Sequence, residues 1–166
     1  MAYIYPMSNY KPFYIQTTND TSAHDTTEWG LIAKTNPYVA LPDPKDCYKN
    51  DWKDEDGDDE YNAQIHYKAF TFDVKFIVKT FDTQSDTAEK VMRGQLDTFF
   101  AKIKQGEFKI YDAFNGLGRQ KVRYAGYKQD DFRRCDNWAR SIFTITFKVN
   151  DPITRMKLNN GSIVTA

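Results

Sequence analysis

Two cysteines and two histidines are all that these 166 residues offer to the commonest metal and acid–base chemistry. Cys47 and Cys135 lie far apart and lack the short spacings of a metal site, so two reduced thiols are expected. His24 falls in a polar stretch and His66 beside a strand start, and neither accompanies a nucleophile motif. Gly-x-Ser-x-Gly, Cys-x-x-Cys, His-Glu-x-x-His and the Walker loop are all missing. Net charge is missing too: 23 basic residues balance 23 acidic ones, so no overall field draws in nucleic acid. No apolar run approaches the ~20 residues of a membrane span. The opening MAYIYPMSNYKPF lacks the basic start and apolar run of a signal peptide. These absences point away from an enzyme, a cofactor, a bound metal and a membrane.

What the chain does have is aromatic mass. Phe, Tyr and Trp make up 16% of it, and with many Val and Thr they favour a mainly β fold. The length fits one domain with a sizeable core. The organising stretch runs from Ala69 to Asp112 and reads as strand, helix, strand. Phe70, Phe72, Val74, Phe76 and Val78 alternate with Thr71, Asp73, Lys75 and Lys79, which places the two sets on opposite faces of a strand. That strand is expected over Tyr67 to Phe81, well beyond the usual ~5–6 residues.

A helix over residues 86–104 follows. Asp86 and Glu89 have the spacing of a capping box, with Ser85 as the other candidate cap. Ala88, Val91, Met92, Leu96, Phe99, Phe100 and Ile103 recur at three and four, as an apolar stripe requires. Gly94, within the helix, is expected where it passes close to the sheet. Phe108 and Ile110 begin the next strand, and the Gly- and Asn-rich turn from Asp112 to Arg119 makes a hairpin. Gly126 marks a bulge. A charged turn is expected over Gln129 to Asn137, before the alternating strand Ser141 to Val149.

The flanks carry less pattern. Residues 1–27 fit an extended arm or a short strand followed by a loop, and read as an N-terminal arm, because their polar run cannot bury enough apolar area to offset chain entropy. Residues 153–166 read as a C-terminal tail. Trp29, Leu31 and Ala33 suggest a short strand. An irregular excursion over about 37–66 holds Pro37, Pro42 and Pro44 and the acidic run around Gly57. That run fails as an EF-hand: with Gly57 in sixth place, the first position is Trp52 and the twelfth is Ala63. The expected architecture is a β-sandwich of about 5–7 antiparallel strands with one flanking α-helix, over 28–152.

Three stretches, in this order, resemble tail proteins of long-tailed bacteriophages, the distal tail and tail-tube-like family especially. Trp29-Gly30-Leu31-Ile32 with Leu41-Pro42-Asp43-Pro44-Lys45 is similar to that family's Trp-Gly strand and Pro-acid-Pro-Lys segment. Asp54-Glu55-Asp56-Gly57-Asp58 matches its acidic turn. The long strand, the amphipathic helix, Lys109-Ile110-Tyr111-Asp112, Tyr124-Ala125-Gly126-Tyr127 and Phe143 to Pro152 then follow. The resemblance implies a structural virion protein that forms a homohexameric ring, joins the tail tube to the tip or baseplate, and encloses the DNA channel. It is made in the host bacterial cytoplasm and ends in the virion tail. The excursion would be the belt that laces neighbouring subunits.

On that reading Trp52, Tyr61, Trp138, Arg133 and Arg134 are candidate interface residues, with aromatic anchors and ion pairs at subunit contacts. The bases of the last third, including Arg119, Lys121 and Arg123, are interleaved with Asp130, Asp131 and Asp136, so sequence-specific nucleic-acid binding is not expected. The alternative is a β-sandwich module that binds carbohydrate or a host surface through loop Trp and Tyr.

Overall fold

The structure, a computed structural model, describes residues 12–35, 41–50, 53, 56, 59–60 and 64–166. The strands are β1 (Phe13–Thr17), β2 (His24–Asp25), β3 (Leu31–Thr35), β4 (Lys49–Asn50), β5 (Asp59–Glu60), β6 (Phe70–Phe81), β7 (Phe108–Asp112), β8 (Leu117–Arg134), β9 (Trp138–Val149), β10 (Arg155–Asn159) and β11 (Ser162–Thr165). One helix, α1 (Ala88–Ile103), lies between β6 and β7. Nine strands form one antiparallel sheet in the order β2-β1-β7-β8-β9-β6-β3, and the β10–β11 hairpin joins it through β8.

Aromatic contacts show that this sheet folds back on itself. Phe13 of β1 meets Phe76 of β6 and Phe147 of β9, with ring centres 5.9 and 6.4 Å apart, although β1 pairs with neither strand. Phe108 of β7 stands edge-on to Phe147 at 5.7 Å. One layer therefore holds β2, β1, β7 and the start of β8; the other holds β3, β6, β9 and the rest of β8. The expected sandwich with a flanking helix is the fold observed. β8 belongs to both layers: it pairs with β7 up to Val122 and with β9 from Val122 onwards. Lys121, at φ 51°, sits at that crossing in the left-handed region that side chains other than Gly rarely occupy.

The alternation of β6 and β9 decides the core. Val74, Phe76, Phe143, Ile145 and Phe147 are fully buried, and removing each side chain from water stabilises the fold by about 2 kcal/mol. α1 covers the end of this face that β1 and β7 leave open. Its Phe99 packs on Phe76 and Trp29, both at 5.5 Å, and Phe100 stands on Phe143 at 5.9 Å.

Several details differ from the sequence reading. The helix cap is Thr87, whose side chain makes no capping bond; the Ala88 N–H instead donates to the Asp82 carboxylate at 2.6 Å. The capping box belongs to the 3-10 turn Thr26–Trp29, where Asp25 accepts from Thr27 N–H and Glu28 accepts from Asp25 N–H. Gly94 meets nothing within 4 Å of where a Cβ would stand. The close approach to the helix is made by Gly30, at φ 71°, where a Cβ would stand 2.9 Å from Gln95 Oε1. β6 begins at Phe70, so β8, at 18 residues, is the longest described strand. Its far half, where the sequence suggests a charged turn from Gln129, is strand; two bulges break the alternation of its aromatic residues.

The described part of residues 1–27 and all of 153–166 take ordered positions where an arm and a tail were expected. β1 pairs along its full length with β7 and buries Phe13 and Ile15. The β10–β11 hairpin buries Met156 and Ile163. The Ile163 N–H donates to the buried side chain of Gln16 at 2.7 Å, and the Ala23 N–H donates to Gly161 O at 2.7 Å. In both segments only two large apolar side chains are buried, too few to stand out among polar neighbours.

Candidate assembly surface

β8 outruns its support. From Arg123 to Arg134 it has β9 on one edge, and no described strand pairs with the other. Such an edge leaves backbone donors and acceptors open to another chain. Bulges at Tyr124/Gly126 and Gln129/Asp131 interrupt the ladder. Tyr124, Tyr127 and Phe132 line the helix side of this segment and remain 37–44% exposed. Tyr127 is held between Phe100 and Phe143, 5.6 Å from each ring.

The opposite side of the β3–β6–β9–β8 layer faces outward. Register puts a row of isoleucines across its middle: Ile32 faces Ile77, which faces Ile142. All three are half-buried. Charges surround the row. Arg123 stands opposite Lys148, and Arg140 stands between Arg133 on β8 and Lys79 on β6. Like charges placed directly across a ladder are unfavourable. Acids offset them in part: Asp131 accepts from Arg140 at 2.8 Å and lies 3.7 Å from Arg133, while Asp130 accepts from the Thr144 hydroxyl at 2.6 Å and lies 3.7 Å from Lys75. The Thr144 hydrogen bond holds the Asp130 carboxyl below the usual range, with support from Lys75 and Lys128. Seven bases and three acids point outward on β6, β8 and β9, a positive excess on a chain with no net charge.

Of the five residues named from sequence, three meet at the β8–β9 turn. Arg133 is exposed near Asp131; Arg134 reaches Glu89 of the helix at 2.9 Å; Trp138 is half-buried, with the Lys79 ammonium 4.7 Å from its ring centre. Strand alternation sends Arg133 and Trp138 to the outward face and Arg134 to the helix side. Trp52 and Tyr61 lie outside the described residues. Lys79, Lys148, Phe132 and the isoleucine row were not singled out, because only long-range register brings them together.

The stem of the excursion is an antiparallel pair. Pro44 bridges Tyr67, the Lys45 N–H donates to His66 O, and the Lys68 N–H donates to Asp43 O, both at 2.7 Å. Beyond it, β4 and β5 pair as a small ribbon apart from the main sheet. Leu41 and Tyr48 are more than 70% exposed there.

Elsewhere, polar groups serve the fold. His24 bridges Glu28 at 2.9 Å and Asp20 at 3.5 Å. Asp20 also pairs with Lys102 and accepts from Thr17. Burial pushes the Asp20 carboxyl up, but the bonds from Lys102 and Thr17 outweigh it and hold it at about 2. Cys135 is an exposed thiol. Among the described residues no group of three or more potential metal ligands occurs, and no helix is long and apolar enough to cross a membrane.

No protein-family model and no curated protein sequence matches the chain. Among solved structures, the Dit (gp 19.1) protein of phage SPP1 is similar, with a TM-score of 0.58 and 15% identity over 88% of this chain. The chain spans about half, 52%, of the length of that one. The SPP1 protein is described as a paradigm of the hub adsorption apparatus of phages that infect Gram-positive bacteria. At this identity the likeness establishes a shared fold.

Proposed function

We propose that this chain is a structural protein of a phage tail, and that copies of it close a ring. The observation that carries the reading is the fold shared with SPP1 Dit over 88% of the chain, in the element order that the sequence motifs resemble. Three local features support it. The far half of β8 offers an unpaired edge, the excursion stands on its own stem, and half-exposed Tyr and Phe side chains flank the edge. A head-to-tail contact between different patches generates a ring when the rotation closes. Six copies are the count the resemblance implies, with the tail tube on one side and the tip or baseplate on the other. Such a ring sits in the virion tail, encloses the DNA channel without reading sequence, and performs no catalysis.

Electron microscopy of the purified protein tests this. Annular particles with a central opening are expected; a uniform population of single 19.4 kDa particles counts against the reading.

A further inference from the structure

A polar cavity of about 350 Å³ lies where the end of β1, the start of β7 and the first part of β8 meet. That volume falls at the lower end of small-ligand sites, roughly 300–1,000 Å³. Its lining includes Gln16, Thr18, Glu107, Lys109, Gln120 and Lys121. A bulge shapes the β8 wall. From the pair Phe108/Val122 to the pair Ile110/Arg119, the ladder advances two residues on β7 and three on β8. The extra residue sets Gln120 and Lys121 together against Lys109, and bulges often re-aim side chains in this way beside functional sites. Lys121 also holds φ 51°, a backbone conformation that glycine keeps at lower cost.

Part of this lining is already committed. Gln16, only 8% exposed, accepts from the Ile163 N–H at 2.7 Å and donates to Asp20 O at 3.3 Å. Gln120 donates to the Asp151 carboxylate at 2.6 Å. Asp20, at the rim, is taken by Lys102 and Thr17. Two charges remain uncommitted: among the described residues, the side chains of Glu107 and Lys121 have no hydrogen-bond or ion-pair partner. Lys109 donates to Ile163 O at 3.2 Å and keeps two further N–H groups. The cavity therefore offers one free carboxylate and two ammonium groups. A simple anion would meet Glu107, a simple cation would meet the lysines, and an apolar molecule would strip all three of water. A small molecule that carries both signs satisfies them together.

We propose that this cavity binds a zwitterion of the α-amino acid type with a small polar side chain. The ligand's ammonium would donate to Glu107, and its carboxylate would accept from Lys109 and Lys121, as charge-assisted hydrogen bonds. The side chain would meet Thr18 and the fixed amide of Gln120. The site goes beyond the structural role and does not depend on ring closure. It contains none of Trp52, Tyr61, Trp138, Arg133 and Arg134. Saturation-transfer NMR of the full chain with L-serine tests it, and the signal is read on the ligand whether the protein is a monomer or a ring. Saturable binding in the millimolar range is expected. N-acetyl-L-serine lacks the ammonium and L-serinamide lacks the carboxylate, so each is expected to bind roughly tenfold more weakly. No saturable binding of L-serine, or equal binding of the three compounds, would overturn the proposal.

Two variants place the binding in this cavity. Lys121→Gly removes the ammonium while suiting φ 51°, so thermal unfolding close to that of the wild type is expected together with roughly tenfold weaker binding of L-serine. Glu107→Gln changes an exposed side chain without a partner, so the fold is kept and L-serine binding is expected to weaken to a similar extent. Trp138→Ala, at the far end of β9, is expected to bind as the wild type does. Wild-type affinity in both Lys121→Gly and Glu107→Gln would overturn the assignment, as would loss of binding in Trp138→Ala alone.

Discussion

Asp131 lies between two arginines that face each other across the β8–β9 ladder, accepting from Arg140 at 2.8 Å and approaching Arg133 at 3.7 Å. Without it, two like charges would stand directly opposite on the last stretch of an edge strand. Asp131→Asn is therefore expected to destabilise the fold by about 1 kcal/mol and to loosen the far half of β8 selectively. Hydrogen exchange checks this, through faster exchange from Gln129 to Arg134 than in the wild type. Equal protection in the two proteins would mean that Asp131 does not hold this ladder together.

Helix α1 is held by one buried ring more than by its own ends. Phe99 touches both Phe76 and Trp29, and it is fully buried. Phe99→Ala leaves a cavity between helix and sheet and is expected to cost about 3–5 kcal/mol in chemical denaturation.

Gly94 offers the opposite change. Its Cβ position is open and it lies inside the helix, so Gly94→Ala removes backbone freedom from the unfolded chain without a clash. A gain of about 0.5–1 kcal/mol is expected, read as a higher denaturation midpoint at unchanged slope.

Acid weakens the protein through two carboxylates. Burial pushes Asp20 and Asp151 up, yet hydrogen bonds hold both at about 2, below the ordinary 3.8. For Asp20 the donors are Lys102 and Thr17; for Asp151 they are Gln120, Thr154 and Ile153. A carboxylate depressed by folding stabilises above its unfolded pKa, and that contribution is lost as pH falls from about 4 through about 2. On the order of 1–2 kcal/mol from each is expected to disappear over this window. In Asp20→Asn with Asp151→Asn, urea midpoints start lower near neutrality and fall less between pH 4 and 2.

Much of this fold was legible in the sequence. Phe70 to Val78 in β6 and Phe143 to Val149 in β9 alternate, and α1 repeats at three and four, so periodicity places most of the core. β1 escaped because Phe13 and Ile15 form too short a pattern beside a polar run. The far half of β8 escaped because two bulges space Tyr124, Tyr127 and Phe132 three and five residues apart, which hides the period of two. Of the candidate surface, the resemblance drew attention to Arg133, Arg134 and Trp138 as proposed contact residues. The isoleucine row and the partners of Arg140 were not, because strands distant in sequence bring them into register.

Self-assembly into a closed ring is tested most directly by mass in solution, from light scattering across a range of concentrations at low salt. A discrete species near six times 19.4 kDa, or stacks of it, that dissociates as salt rises is expected. A 19.4 kDa monomer at every concentration would contradict it.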